Sequence, residues 1–136
     1  MKFGTVVYTH DVEAMLDFFG RALGLSTRFF DSTLGYGELD IDGALLAVAS
    51  HGMGAMLMPG AYRAPDPGAQ HAPVEIAFLV EDVEAMFARA TRAGAEVVAS
   101  PKVMPWGATV AYVRGTDGVL IGLSTPVAQP GEGGAA

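Results

Sequence analysis

Glu75 is the residue whose type and position are best suited to chemistry in this sequence. It opens an apolar stretch, and alternation along a strand places it on the same face as Ala77 and Leu79. A carboxylate in such a setting can bind a cationic group of a ligand or act as a general base. An exposed glutamate at a strand end, or one paired with an arginine, has the same local sequence. We therefore predict Glu75 as the candidate catalytic and ligand-binding residue, with that structural alternative open.

Four aromatic residues and a second glutamate are further candidates for contact with a ligand. Tyr8 lies on one predicted strand, Tyr36 and Glu38 alternate together on another, and Tyr112 lies on a third. Trp106 is predicted to lie in a loop, where its ring can close over a ligand and stack on it. Packing within a sheet explains the strand residues equally well. A structural plug or a dimer contact is the alternative for Trp106.

The segment 51–72 is rich in glycine and proline and is predicted to be a long loop. Its candidates for ligand binding are His51, Met56 and Met58. Methionine side chains adapt to irregular apolar ligands, so the segment could cover a binding site as a lid. Alternatively, its apolar side chains anchor the segment to the protein surface.

The histidines His10, His51 and His71 show no metal-binding spacing such as H-x-x-x-H. His10 directly precedes a predicted helix, where we expect it to face solvent. None of the three is expected to be catalytic. The sequence also lacks the signatures of a nucleophile elbow, a phosphate-binding loop and a dinucleotide-binding fold.

A repeated five-residue sequence reveals how these residues are positioned. Residues 11–15 read Asp-Val-Glu-Ala-Met, and residues 82–86 repeat the same five letters. A strand-like stretch precedes each copy, and a helical pattern of apolar residues follows it. Asp11 and Asp82 are suitable helix N-caps, and Gly24 and Gly94 mark the helix ends. Three further strand-like stretches follow each helix, so each half is predicted to be a βαβββ module.

The predicted organisation is a single domain over residues 1–126. The first module covers residues 1–50, the segment 51–72 links the halves, and the second module covers residues 73–126. Residues 127–136 are predicted to be a flexible tail because they are rich in glycine and alanine.

The paired modules resemble the vicinal-oxygen-chelate superfamily, which contains glyoxalases, bleomycin resistance proteins and dioxygenases. Residues 75–83 resemble the family's fifth strand and the following helix start. Residues 105–114 and 117–123 resemble its final hairpin. The resemblance implies an α+β fold in which two βαβββ modules form a cup-shaped, partly closed mixed sheet. It also implies a homodimer and, in many members, a divalent metal bound in the cup.

The resemblance places the family's four metal-binding positions at Gly4, Glu75 and Gly122 and near Ala47. Three of these residues have no donor side chain, whereas a zinc or transition-metal site usually needs at least three protein ligands. We therefore predict no metal at these positions and no cofactor. The small residues are expected to widen the cup for an organic ligand.

The net charge of −7 and the absence of cysteine limit the classes of function. Nucleic acid is not expected as a partner, because phosphate repels an acidic surface. No apolar run approaches the ~18 residues of a membrane span, so no membrane partner is expected either. No signal-like segment precedes the first predicted strand, and we expect a cytoplasmic location. An acidic surface attracts cationic ligands, although it also simply favours solubility.

Two classes of function follow from the resemblance. The preferred class is a metal-independent protein that binds a small molecule and sequesters a cationic or aromatic antibiotic, as bleomycin resistance proteins do. The alternative class is a glyoxalase-type lyase or isomerase, or a ring-cleaving dioxygenase, that uses a metal or uses Glu75 as a base. A third idea, a partner-binding module with an open sheet edge, has no residue that singles it out.

Overall fold

Two βαβββ modules follow one another in the computed structural model, which describes residues 1–66 and 74–127. The first module contains β1 (Gly4–Thr9), α1 (Val12–Leu23), β2 (Ser26–Asp31), β3 (Tyr36–Asp40) and β4 (Leu45–Ser50). The second contains β5 (Ile76–Leu79), α3 (Val83–Arg92), β6 (Glu96–Val103), β7 (Thr109–Arg114) and β8 (Leu120–Ser124). The predicted duplication is therefore confirmed.

Each module forms its own four-stranded mixed sheet, with the strand orders β1-β4-β3-β2 and β5-β8-β7-β6. The first strand of each module pairs in parallel with the last, and the other pairs are antiparallel. The predicted α+β class, with two βαβββ modules and mixed sheets that do not close fully, is confirmed. The two sheets are not hydrogen-bonded to one another and do not close into a barrel.

The helices begin and end where the sequence predicts. The Asp11 carboxylate accepts a hydrogen bond from the Ala14 amide at 2.9 Å, and Asp82 accepts one from the Ala85 amide at 3.0 Å. Gly24 ends α1 with a φ of 74°, which glycine adopts at low cost. The repeated sequence therefore encodes the same strand-to-helix corner twice.

The two helices hold the modules together. Phe19 of α1 is fully buried, and its ring centroid lies 6.4 Å from that of Phe78 on β5. Arg89 of α3 donates hydrogen bonds to the carbonyls of Gly20 and Arg21, where α1 ends. Because carbonyls at a helix end have no partner within the helix, a guanidinium stabilises them there. The core is thus shared between the modules.

The helices cover one face of each sheet, which we call the inner face. It includes Leu46 and Val48 in the first module and Ile121 and Leu123 in the second, all of them buried. The outer faces carry the alternate residues and are exposed in part, although Ala47 is buried there. Val6 is 43% exposed and Leu79 is 70% exposed on these faces.

The segment predicted as a long loop begins with a helix, α2 (His51–Leu57), capped by the Ser50 hydroxyl. The prediction missed it because Gly52 and Gly54 are typical of loops. Gly54 instead allows close packing: a Cβ there would lie 2.8 Å from the Tyr62 ring. Residues 67–72 of the predicted linker and 128–136 of the predicted tail lie outside the described residues. In the part that is described, no helix has both the length and the apolar character needed to cross a membrane.

Candidate functional site

A cavity of about 500 Å³ lies in the seam between the modules, beside β1 and the first residues of the second module. We call it the seam cavity. Pockets that bind drug-sized molecules usually have volumes of ~300–1,000 Å³ and mostly apolar walls. The apolar wall of the seam cavity includes Val7, Met15, Ile76, Val119 and Leu120. Its size and lining suit a small organic molecule.

Two tyrosines and a histidine line the end of the seam cavity nearest α2. The rings of Tyr8 and Tyr62 lie 5.1 Å apart between centroids, and Tyr62 OH is hydrogen-bonded to Nδ1 of His51. Burial raises the pKa of Tyr62, and the proximity of Tyr8 raises it further. Tyr62 therefore stays a neutral phenol at physiological pH, with its ring available to contact an aromatic ligand.

Asp117 lies at the same end and connects the modules. Its Oδ2 accepts hydrogen bonds from the Thr9 hydroxyl at 3.0 Å, the His10 amide at 2.7 Å and His10 Nδ1 at 2.8 Å. Burial alone would raise the pKa of Asp117, but the hydrogen bonds from His10 and Thr9 together lower it below its ordinary value. Asp117 is thus an anchored carboxylate that lines the cavity.

His10 and His51 come together beside Asp117, with ring centroids 4.3 Å apart. One possible metal-binding atom from each of His10, His51 and Asp117 lies within 4.8 Å of the others. Sequence reasoning missed this cluster, because Asp117 was interpreted only as a turn residue. The repeat contains one signal that could have revealed the cluster. Thr9 and His10 precede the first copy, whereas Val80 and Glu81 precede the second, so the helix start does not itself require a threonine and a histidine.

Tyr36 and Glu38 lie together on the outer face of the first sheet, as predicted. Tyr36 OH donates to Glu38 Oε2 at 2.7 Å, and Arg28 contacts the other oxygen of Glu38 at 3.2 Å. Burial and then the neighbouring carboxylate raise the pKa of Tyr36 to about 12. Because Arg28 already balances the charge of Glu38, this carboxylate is a weaker candidate for a cationic ligand.

Glu75 lies on the outer side of the second sheet and is exposed to solvent. A Cβ on Gly122 would lie 2.0 Å from Glu75 Oε2 and 3.1 Å from the Tyr112 ring. Glu75 and Tyr112 therefore meet above Gly122. At Gly4, a Cβ would similarly lie 2.9 Å from the Leu45 side chain. The expectation that these glycines widen the cup is wrong, because neighbouring side chains fill the space.

The positions that the resemblance assigns to a metal do not fit one in this structure. Gly4 and Ala47 lie on the first sheet, whereas Glu75 and Gly122 lie on the second. Among these four residues, Glu75 alone has a donor side chain, whereas a zinc or transition-metal site usually needs at least three.

The remaining predicted ligand-binding residues lie elsewhere on the surface. Trp106 is 64% exposed in the turn between β6 and β7. Met56 and Met58 are 63% and 38% exposed, on α2 and at its end. The predicted site residues therefore divide among the seam cavity, the two outer sheet faces and these exposed positions. His71 lies outside the described residues.

Comparison with known families finds one match over most of the sequence. A family model described as the Glyoxalase/Bleomycin resistance protein/Dioxygenase superfamily matches residues 4–123. No curated protein sequence matches the chain.

Several solved structures share the architecture. A glyoxalase/bleomycin resistance protein/dioxygenase from Nocardioides is 20% identical, with a TM-score of 0.74 over 97% of this chain and 88% of that chain. A glyoxalase-related enzyme from Fulvimarina pelagi is 19% identical, with a TM-score of 0.77 over 97% and 95%. TioX from Micromonospora sp. ML1 is 21% identical, with a TM-score of 0.71 over 93% and 99%. At these identities the likeness shows the fold alone.

Proposed function

The chain belongs to the Glyoxalase/Bleomycin resistance protein/Dioxygenase superfamily, and we propose that it binds a small aromatic molecule in the seam cavity. The observation that carries this proposal is a cavity of about 500 Å³ with apolar walls and two tyrosine rings, Tyr8 and Tyr62, at one end. Planar ligands bind such sites by stacking on the rings and by burying apolar surface.

The proposed ligand class is a cationic or aromatic antibiotic that the protein sequesters in the cytoplasm. The net charge of −7 favours the approach of a cation. Glu75 adds an exposed carboxylate next to the cavity residue Ile76 in sequence, but on the outer side of the sheet, so it would pair with a cationic group only where a ligand extends out of the cavity. The proposed binding uses no metal at the family positions, because Gly4, Ala47 and Gly122 have no side chain that could hold one. For the same reason, metal-dependent lyase, isomerase or dioxygenase chemistry at those positions is the less favoured function.

Calorimetric titration with planar cationic drugs and with neutral aromatic analogues tests the proposal. We expect Tyr8→Ala to weaken binding of both kinds of ligand roughly tenfold, since an aromatic pair and its buried area are lost. We expect Glu75→Gln to weaken binding of the cationic drugs by a factor of ~2–5, because an exposed ion pair contributes little.

Tyr36→Ala is the matched comparison, since Tyr36 and Tyr8 lie in one row across the first sheet with Ala49 between them. Tyr36 does not line the seam cavity, so its removal should have the smaller effect. A larger loss with Tyr36→Ala would place the site further along the outer face, away from the seam cavity. No measurable binding of any planar drug would contradict the proposal.

We also propose that two copies of the chain pair through the outer sheet faces. The exposed apolar residues Val6 and Leu79 support this, because pairing would remove their apolar surface from water. We expect Leu79→Glu to weaken dimerisation roughly tenfold or more, because a carboxylate would be buried without a partner. Light scattering over a range of protein concentrations measures the change.

The control for this dimer test is Leu57→Glu, which changes an equally exposed leucine on α2. It should leave the dimer intact, since α2 lies outside both sheets. A wild-type protein that stays monomeric at all concentrations would contradict the pairing.

A further inference from the structure

We propose that His10, His51 and Asp117 form a binding site for a divalent transition metal ion, with zinc as the best-suited ion. One donor atom from each residue lies within 4.8 Å of the others. None of the three is at a position that the family resemblance assigns to a metal. The proposal is independent of the ligand proposed for the seam cavity, because it needs no organic molecule.

The donor set has the right chemistry for such an ion. Two imidazoles and one carboxylate suit zinc, iron and cobalt, and they are a poor match for magnesium or calcium, which prefer oxygen ligands. In a tetrahedral zinc site the bonds of ~2.1 Å separate the ligand atoms by roughly 3.4 Å. A pair of donor atoms at the 4.8 Å limit must therefore approach by about 1.4 Å, and His10 has room to move because its side chain is 40% exposed.

Two of the three ligands are already oriented by their neighbours. Tyr62 is hydrogen-bonded to Nδ1 of His51 and fixes the direction of the imidazole ring. The Thr9 hydroxyl and the His10 amide hold the Asp117 carboxylate. Hydrogen bonds of this kind orient metal ligands, and their loss typically weakens metal binding ~10–100-fold. Asp117 also adopts a φ of 60°, a costly conformation for a residue other than glycine.

The repeat indicates that the fold does not require the cluster of His10, His51 and Asp117. The second module builds the same strand-to-helix corner with Val80 and Glu81 in place of Thr9 and His10. Neither of those side chains can reproduce the contacts that Thr9 and His10 make with a carboxylate. The polar cluster is thus specific to one end of the molecule, where His51 and Asp117 line the seam cavity. Three protein ligands would leave a coordination position for a water molecule or a ligand atom there.

The test uses the full chain after treatment with a chelator. Co²⁺ is titrated, and its visible absorption reports both the affinity and the coordination geometry. Zinc then competes for the same site. We expect one ion per chain, with an intense tetrahedral cobalt spectrum that zinc abolishes. His10→Ala, an exposed change that leaves the core intact, should weaken binding at least ~10-fold, and Tyr62→Phe should weaken it ~10–100-fold.

Glu75→Gln is the control, since Glu75 is the single donor left at the family's metal positions. It should bind cobalt as the wild type does. Circular dichroism confirms that each variant is folded. An affinity unchanged in both His10→Ala and Tyr62→Phe, or lost in Glu75→Gln, would overturn the proposal. Absence of saturable cobalt binding to the wild type would also overturn it. Drug binding is measured separately, so either proposal can fail alone.

Discussion

Phe19→Ala should lower the free energy of unfolding by about 3–5 kcal/mol, the cost of removing a large aromatic ring from a packed core. Phe19 is fully buried in α1, with ring contacts to Phe18 at 5.9 Å and to Phe78 of the second module at 6.4 Å. A cavity at this point removes packing within one module and between the two. Urea unfolding followed by circular dichroism measures the change, at one fixed protein concentration because pairing would add to stability.

Phe3→Ala is the matched control for Phe19→Ala. Phe3 is 84% exposed, so the loss of its ring should change the free energy of unfolding by less than about 0.5 kcal/mol. An equal effect at the two positions would show that Phe19 is not a core residue in solution. The shared core also predicts a single unfolding transition. Two separate transitions would show that the modules fold independently.

The sequence could predict the modules because their determinants are local. Asp11 and Asp82 each accept a hydrogen bond from an amide three residues later. The spacing of apolar residues that identifies each helix is visible in one or two helical turns of sequence. Such contacts need no knowledge of the tertiary structure. The helix α2 was missed for a tertiary reason, since Gly54 accommodates the ring of Tyr62 rather than breaking the helix.

The candidate site was less predictable because its contacts are distant in sequence. Asp117 bonds to His10 across 107 residues, and no local sequence pattern links the two residues. The residues of the outer faces were found by strand alternation, but their partners were not. Two contacts depend on side-chain conformations that a strand pattern does not specify. They are the contact of Arg28 with Glu38 and the position of the Glu75 carboxylate above Gly122.

The seam cavity does not coincide with the positions that the family resemblance assigns to a metal. Those four positions are Gly4, Ala47, Glu75 and Gly122, and three of the four residues have no donor side chain. The seam cavity instead draws its walls from both modules and from the segment after α2, and two of its lining residues, Met15 and Val119, also belong to the shared core. A change that shifts one module against the other should therefore disturb the site as well as the stability.

Gly115→Ala is such a change, and it should lower the free energy of unfolding by about 1–3 kcal/mol. A Cβ at residue 115 would lie 2.4 Å from Cε2 of Phe18 and 2.8 Å from its Cζ. Phe18 is 3% exposed, so its ring has no open space to enter. Gly115 has a φ of −103°, which any residue adopts, so the cost is one of packing between α1 and the turn before β8.

Gly52→Ala is the control for this substitution, because the nearest atom to its Cβ is 3.7 Å away and the residue lies within α2. It should leave stability unchanged or raise it by up to about 1 kcal/mol, as alanine favours helix. In Gly115→Ala, the displaced turn carries Asp117, so the His10 amide loses its acceptor and should exchange its hydrogen faster than in the wild type. An unchanged free energy of unfolding together with an unchanged exchange rate at the His10 amide would contradict this prediction. It would show that the Phe18 ring moves aside, and that the contact between α1 and the turn does not fix the position of one module against the other.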